Sequence, residues 1–212
     1  GDLKRGLEFG VDAYTEIFDY CRKKEILTFA SPWDTESVKF LEQFNVPCYK
    51  VASACLTDID LLNQIEATNK PIIASTGMSD EGQINRLLFE LDNRDVALLA
   101  CTASYPADIA DLNLERIRTL QELYPDIPIG WSGHEVGIWA TLCAVAMGAC
   151  IVERHLTLSR AMWGSDQAAS LEPLAFQKLV TEIRDFEKAR GSGELRLLDC
   201  EIEVMKKLRR VK

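Results

Sequence analysis

The sequence predicts an α/β fold whose parallel strands close into a barrel, and three observations carry that prediction. Short apolar segments separated by helical patterns recur about every 25 residues, the period of a βα unit. Several of these segments are near-continuous apolar runs, as in strands covered on both faces. Polar groups follow every one of them: Ser31, Ser53, Ser75-Thr76, Thr102, Ser132-Gly133-His134 and Glu153/His155. An open doubly wound sheet would gather such groups at one switch point. Their recurrence at each strand end fits a TIM-type (β/α)8 barrel, in which all the loops converge on one mouth. No G-x-G-x-x-G or P-loop pattern is present, which leaves a dinucleotide fold without support.

In chain order, VDAYTEIFDYCRKK (11–24) has a helical pattern and ILTFAS (26–31) reads as the first strand. DTESVKFLEQF (34–44) is the next helix, with Asp34 as its N-cap, and leads to the strand PCYKVAS (47–53). TDIDLLNQIEAT (57–68), capped by Thr57, precedes the strand PIIAST (71–76). DEGQINRLLFELD (80–92), capped by Asp80, precedes VALLACT (96–102), and DLNLERIRTLQELYP (111–125), capped by Asp111, precedes IPIGWS (127–132). EVGIWATLCAVAMGA (135–149), rich in Ala and Leu with a stop at Gly148, reads as a buried helix before the last strand, CIVERH (150–155). LEPLAFQKLVTEIRDFEKARG (171–191) is a long amphipathic helix suited to close a barrel.

The strand count is six where a barrel needs eight, so the chain is expected to lack the first two βα units. Residues 1–192 then correspond to strands three to eight, and 193–212 to a linker and a short charged C-terminal helix. Two raw parallel edges are physically unattractive. Either part of the natural chain is expected to lie outside this sequence, or another chain closes the gap.

Composition narrows the function. With 212 residues, 47% hydrophobic and 27% charged, the chain can bury a substantial single core. A net charge of −9 argues against nucleic acid and anionic membrane as partners. It leaves an anionic small substrate possible, since one lysine or helix N-terminus can bind it locally. No apolar run reaches transmembrane length. The seven cysteines form no C-x-x-C pair and mostly sit in apolar runs, the pattern of buried thiols in a reducing, cytoplasmic compartment.

The chain's only two histidines fall at equivalent places in consecutive strand–helix units, directly after IPIGWSG and CIVER. Parallel strands would put His134 and His155 side by side at one end of the sheet, a plausible donor pair for a divalent metal. Lys50, inside an apolar strand, points either into a polar barrel mouth or out to solvent by snorkelling. Ser53, Ser75, Thr76 and Ser132 would line that mouth and suit a phosphate, although Ser after a strand is also a common turn residue. Alternation puts Glu153 on the same face as His155, as an acid, base, ligand or simple hydrogen-bond partner, and turns Arg154 towards the helices. Asp166 sits in the Gly/Ser-containing loop WGSDQAAS, where Asp is functional or an ordinary turn residue.

Taken together and in this spacing, FNVPCYKVAS, KPIIASTGM, CTASYPADIADLNLERI, IPIGWSGHEVGI, GACIVERHLTL and WGSDQAASLEP resemble the phosphoenolpyruvate-dependent sialic acid (N-acetylneuraminate, or nonulosonic acid) synthases, from about Leu7 to Leu198. The resemblance implies a (β/α)8 barrel, usually followed by an antifreeze-like domain, which is expected to be absent here. It implies condensation of phosphoenolpyruvate with an N-acetylated mannose-type sugar, with release of phosphate. It implies a divalent metal, usually Mn2+ with Mg2+ or Co2+ as alternatives, on His134 and His155. Lys50, Ser53, Ser75, Ser132 and Ser31 match phosphoenolpyruvate-binding positions, Glu153 an acid/base carboxylate, and Tyr105 and Asp166 sugar contacts. A homodimer is implied as well. Cys55, Ala103 and Gln167 depart from the family pattern at positions that bear on the identity of the sugar. Two alternatives stand beside this: another metal-dependent barrel aldolase or synthase using phosphoenolpyruvate or pyruvate, and a non-catalytic barrel fragment.

Overall fold

Five parallel strands form one sheet in the order β1 (Tyr49–Val51), β2 (Ile72–Ser75), β3 (Val96–Cys101), β4 (Ile129–Gly133) and β5 (Val152–Arg154). The computed structural model describes residues 8–92 and 95–211, so Leu7, where the family resemblance begins, lies outside the described residues. Helices α1 (Val11–Lys23) and α2 (Thr35–Glu42) precede β1. Between successive strands come α3 (Ile59–Glu66), α4 (Glu81–Glu90), α5 (Arg116–Leu123) and α6 (Trp139–Ala146); α7 (Pro173–Arg190) and α8 (Ile202–Leu208) end the chain. Every strand pairs with its sequence neighbour in parallel. Right-handed crossovers in that order wind the helices onto one side of the sheet, the winding of a barrel wall and not of a doubly wound sheet.

Alternation divides the residues of each strand. Tyr49, Val51, Ile72, Ala74, Val96, Leu98, Ala100, Ile129 and Trp131 join the main apolar cluster with Leu61, Leu62, Leu87 and Ile117 of the helices. Lys50, Ser75, Cys101, Ser132 and Glu153 occupy the intervening positions, and register aligns Cys101 with Ser132 and Ser132 with Glu153. At one end an aromatic group of Tyr14, Phe18, Phe40 and Phe44 packs α1 against α2.

Several expectations need correction. ILTFAS forms no strand. It runs beside β1 with one long backbone bond, Lys50 N–H to Ala30 O at 3.4 Å, and Leu27 is 80% exposed. Its far side has no paired strand among the described residues, so half of its ladder is unmade. Asp34 and Asp80 cap as expected, and Asp80 with Gln83 completes a capping box that the spacing only hinted at. Thr57 does not cap α3; Asp58 does. Asp111 ends a 3₁₀ turn capped by Asp108, and α5 begins only at Arg116, after Asn113 takes a left-handed φ of 49°. The helix expected over 135–149 starts at Trp139, past Gly137 at φ 85°, and is buried on one face only, through Ala140, Thr141 and Ala144. Of the seven free thiols only Cys55 and Cys101 are buried, whereas Cys143, Cys150 and Cys200 are exposed. No helix among the described residues is long and apolar enough to cross a membrane.

Candidate active site

At the C-terminal ends of the strands the intervening positions meet around one cavity of about 530 Å3. Ser31, Lys50, Ser53, Ser75, Tyr105, Ser132, His134, Glu153, His155 and Asp166 all line it, whereas Thr76, expected at the same mouth, lies outside it with its hydroxyl donating to Leu99 O at 3.0 Å. Trp33, Ala52 and Ser165 line it too and were not anticipated. Trp33 lies two residues beyond Ser31 on a connection whose aromatic side chain is 62% exposed, and that exposure is invisible in sequence.

One wall is cationic. Lys50 projects inward from the middle of β1 and donates to Ser75 Oγ at 2.7 Å and to Val51 O at 3.0 Å. Its Nζ lies 3.5 Å from Glu153 Oε2, and Ser132 donates to Glu153 Oε1 at 2.8 Å. The inward alternative for this lysine is therefore the correct one. Burial pulls the Lys50 ammonium below its ordinary value, and the charge of Glu153 opposes that pull. The chain before β1 is tied in by Ser31, which donates to Lys50 O at 2.9 Å. Ser53 accepts from the Gly77 amide at 3.1 Å. Gly77 has to be glycine, because a Cβ there would stand 2.7 Å from Ser53 Oγ and 3.1 Å from Cys101 Sγ.

The opposite wall holds the imidazoles. His134 follows β4 directly and is buried; His155 follows β5 and is half-buried. Their ring centroids lie 5.2 Å apart, and Tyr105 packs 4.1 Å from the first ring and 5.6 Å from the second. The Nδ1 of His134 donates to Thr102 O at 2.8 Å, which assigns it the proton and leaves Nε2 as the lone-pair nitrogen. Burial lowers the His134 pKa and keeps the ring neutral, the form a metal requires. His155 Nδ1 faces Asp166 Oδ2 at 3.6 Å, and Ser165 donates to Asp166 Oδ1 at 2.7 Å. Cys101, beneath His134, has its thiol pushed up by burial and stays protonated. Tyr105 is likewise pushed up by burial and stays a phenol.

Two imidazoles whose Nδ1 atoms face an oxygen fit a divalent cation as a partial donor set. Among the described residues no group of three or more His, Cys, Asp or Glu side chains could hold a metal by itself. Two protein donors would leave such an ion's remaining positions to substrate or water.

Comparison with known proteins gives one consistent result. The NeuB family model matches residues 1–195. The N-acetylneuraminate-9-phosphate synthase of Homo sapiens is 40% identical over 211 residues, which cover 98% of this chain and 58% of that protein. The N,N'-diacetyllegionaminic acid synthase of Campylobacter jejuni is 37% identical over 192 residues, covering 88% and 57%. The chain thus spans less than two thirds of the length of these curated relatives. Among solved structures, the N-acetylneuraminic acid (sialic acid) synthetase of Leptospira borgpetersenii, in complex with citrate, superposes with a TM-score of 0.85 at 35% identity, covering 96% of this chain and 73% of that one.

Proposed function

The chain belongs to the NeuB family, and from that premise we propose that its inward-facing rim binds phosphoenolpyruvate and joins it to an N-acetylmannosamine-type aldehyde, giving a nonulosonic acid and phosphate. The observation that carries this reading is one cavity with a buried lysine–serine wall facing two imidazoles. The first suits a phosphate ester and its carboxylate; the second suits a carbonyl oxygen gaining negative charge.

Each group then has a task. Lys50, with Ser75 and the Ser53–Gly77 pair beside it, holds the anionic ester. The incoming anion restores the ammonium that burial disfavours. Tyr105 and Asp166 orient the sugar. The methylene carbon of phosphoenolpyruvate bonds to the aldehyde carbon, water oxygen adds at C2, and the C2–O bond to phosphate breaks. The attacking water gives up both protons as its oxygen becomes the C2 carbonyl oxygen; the aldehyde oxygen takes one and the departing phosphate the other. Glu153, within reach of both Lys50 and Ser132, is the carboxylate placed to move one of them. His134 and His155 would hold a divalent metal, Mn2+ in this reading with Mg2+ or Co2+ as alternatives, which when bound supplies Lewis acidity to the sugar carbonyl.

The finer fold statement belongs to the same reading: the five-stranded sheet is the greater part of a (β/α)8 barrel wall, and the protein is a homodimer, which sedimentation tests. The activity test is phosphate release from phosphoenolpyruvate in the presence of Mn2+ and a panel of N-acetylated mannose-type sugars. Release that requires both substrates is expected. Pyruvate-lyase activity without phosphate release would instead select the aldolase alternative.

A further inference from the structure

Directly behind the two histidines, on the opposite face of the sheet, lies a buried ion pair that the chemistry above does not use. Glu135 follows His134 in sequence and Arg154 precedes His155, so the pair joins the two chain positions from which the imidazoles spring. The side chains of Arg154 and Glu135 are 0% and 1% exposed.

We propose that Arg154 and Glu135 are positioning residues that set the separation of His134 and His155. The proposal rests on the reading of the two histidines as one donor pair. The Arg154 guanidinium donates to Glu135 Oε1 at 2.9 Å, Glu135 O at 2.6 Å, Gly137 O at 2.8 Å and Thr141 Oγ1 at 3.0 Å. It also reaches Ala169 O at 3.4 Å, three residues beyond the Asp166 that faces His155. One planar fork therefore spans the loop after β4, the start of α6 and the loop after β5, and these segments carry His134, His155 and Asp166. Thr141 closes the group by donating to Glu135 Oε1 at 2.6 Å.

The arrangement is a poor device for stability alone. Glu135 Oε2 and Arg154 Nε are buried without a hydrogen-bond partner. A buried pair left partly unsatisfied is often no better than apolar side chains of the same volume. What the pair does supply is fixed geometry. Gly133 shows how closely it is packed, since a Cβ there would lie 2.5 Å from Glu135 Oε2 and 3.0 Å from Arg154 Cδ. Strand alternation makes the coupling direct: a shift of Arg154 on one face moves Glu153 and His155 on the other.

The test compares wild type with the double variant Glu135→Leu/Arg154→Met, which removes both charges and so leaves no orphan ion, and with Arg154→Lys, which keeps the charge and loses the fork. The chain has only two histidines, so a ring-to-ring nuclear Overhauser effect between them is unambiguous and needs no metal. We expect that contact in wild type and its loss in both variants at native circular dichroism. Binding of Mn2+ alone, followed by electron paramagnetic resonance, should weaken about 10- to 100-fold. A folded variant that keeps both the ring contact and wild-type Mn2+ affinity overturns the proposal. Should the double variant fail to fold, Arg154→Lys decides by the same two readouts. If wild type binds Mn2+ no better than His134→Ala, the metal reading fails, and the ring contact alone still decides whether Arg154 and Glu135 position the histidines.

Discussion

Successive residues of β1 to β4 face two environments of opposite character. On the helix side Tyr49, Val51, Leu98 and Trp131 are 0% exposed and apolar. On the other side, one residue along, stand Lys50, Ser75, Cys101 and Ser132, buried almost as deeply and polar or ionisable. Similar burial with different chemistry teaches that the helix side holds the sheet together while the inner side tolerates polar groups because they satisfy one another. β5 departs from the rule on its helix side only: there, beside Val152, stands the charged Arg154, and it couples the two faces.

Four substitutions sharpen or break this contrast. Glu153→Gln, on the inner side, should lower kcat by about 10² to 10⁴-fold while leaving the melting temperature within a degree or two; a drop in stability with unchanged turnover would merge the two faces. Leu98→Ala, on the helix side, should cost about 2–5 kcal/mol in urea unfolding and leave kcat of the folded enzyme intact. Lys50→Ala should raise KM for phosphoenolpyruvate by at least about 30-fold, worth about 2 kcal/mol, with far less change for the sugar; the reverse order reassigns the cationic wall. Asp80→Ala removes the capping box of α4 and should cost only about 1 kcal/mol, with no kinetic effect.

Lys50 also gives a pH signature. Burial sets its pKa below that of an exposed lysine, so the ammonium is lost at a lower pH than usual. Affinity for phosphoenolpyruvate should therefore fall as pH rises through that lowered value, and Lys50→Arg should abolish the fall, because a guanidinium keeps its charge. A KM profile flat to high pH in wild type contradicts the assignment.

Much of this was legible in the residues. Parallel strands with apolar runs announce burial on both faces, and polar groups at strand ends announce a shared mouth; β1 to β5 and most of the expected cavity-lining residues follow from those two signs, while Tyr105 was indicated only by the family resemblance. Where the expectation failed, the missing information was non-local. ILTFAS has a strand's composition, but a strand needs partners, and among the described residues it has β1 alone. α6 starts only at Trp139, after Glu135 has turned into an ion pair with Arg154, nineteen residues along the chain. Trp33 joins the cavity only because the chain before β1 is pinned by Ser31 to a carbonyl of Lys50.

The oxygen that accepts from His134 Nδ1 belongs to the main chain at Thr102. Side-chain replacement cannot delete it, so saturation mutagenesis of position 102 would leave the acceptor in place and report only the loss of the hydroxyl's own bonds to Asp111 and Leu112. The imidazole's tautomer is thus shielded from ordinary genetic variation at that site. To interrogate it one must edit the amide itself, for instance by a semisynthetic thioamide, whose sulfur is a weaker acceptor.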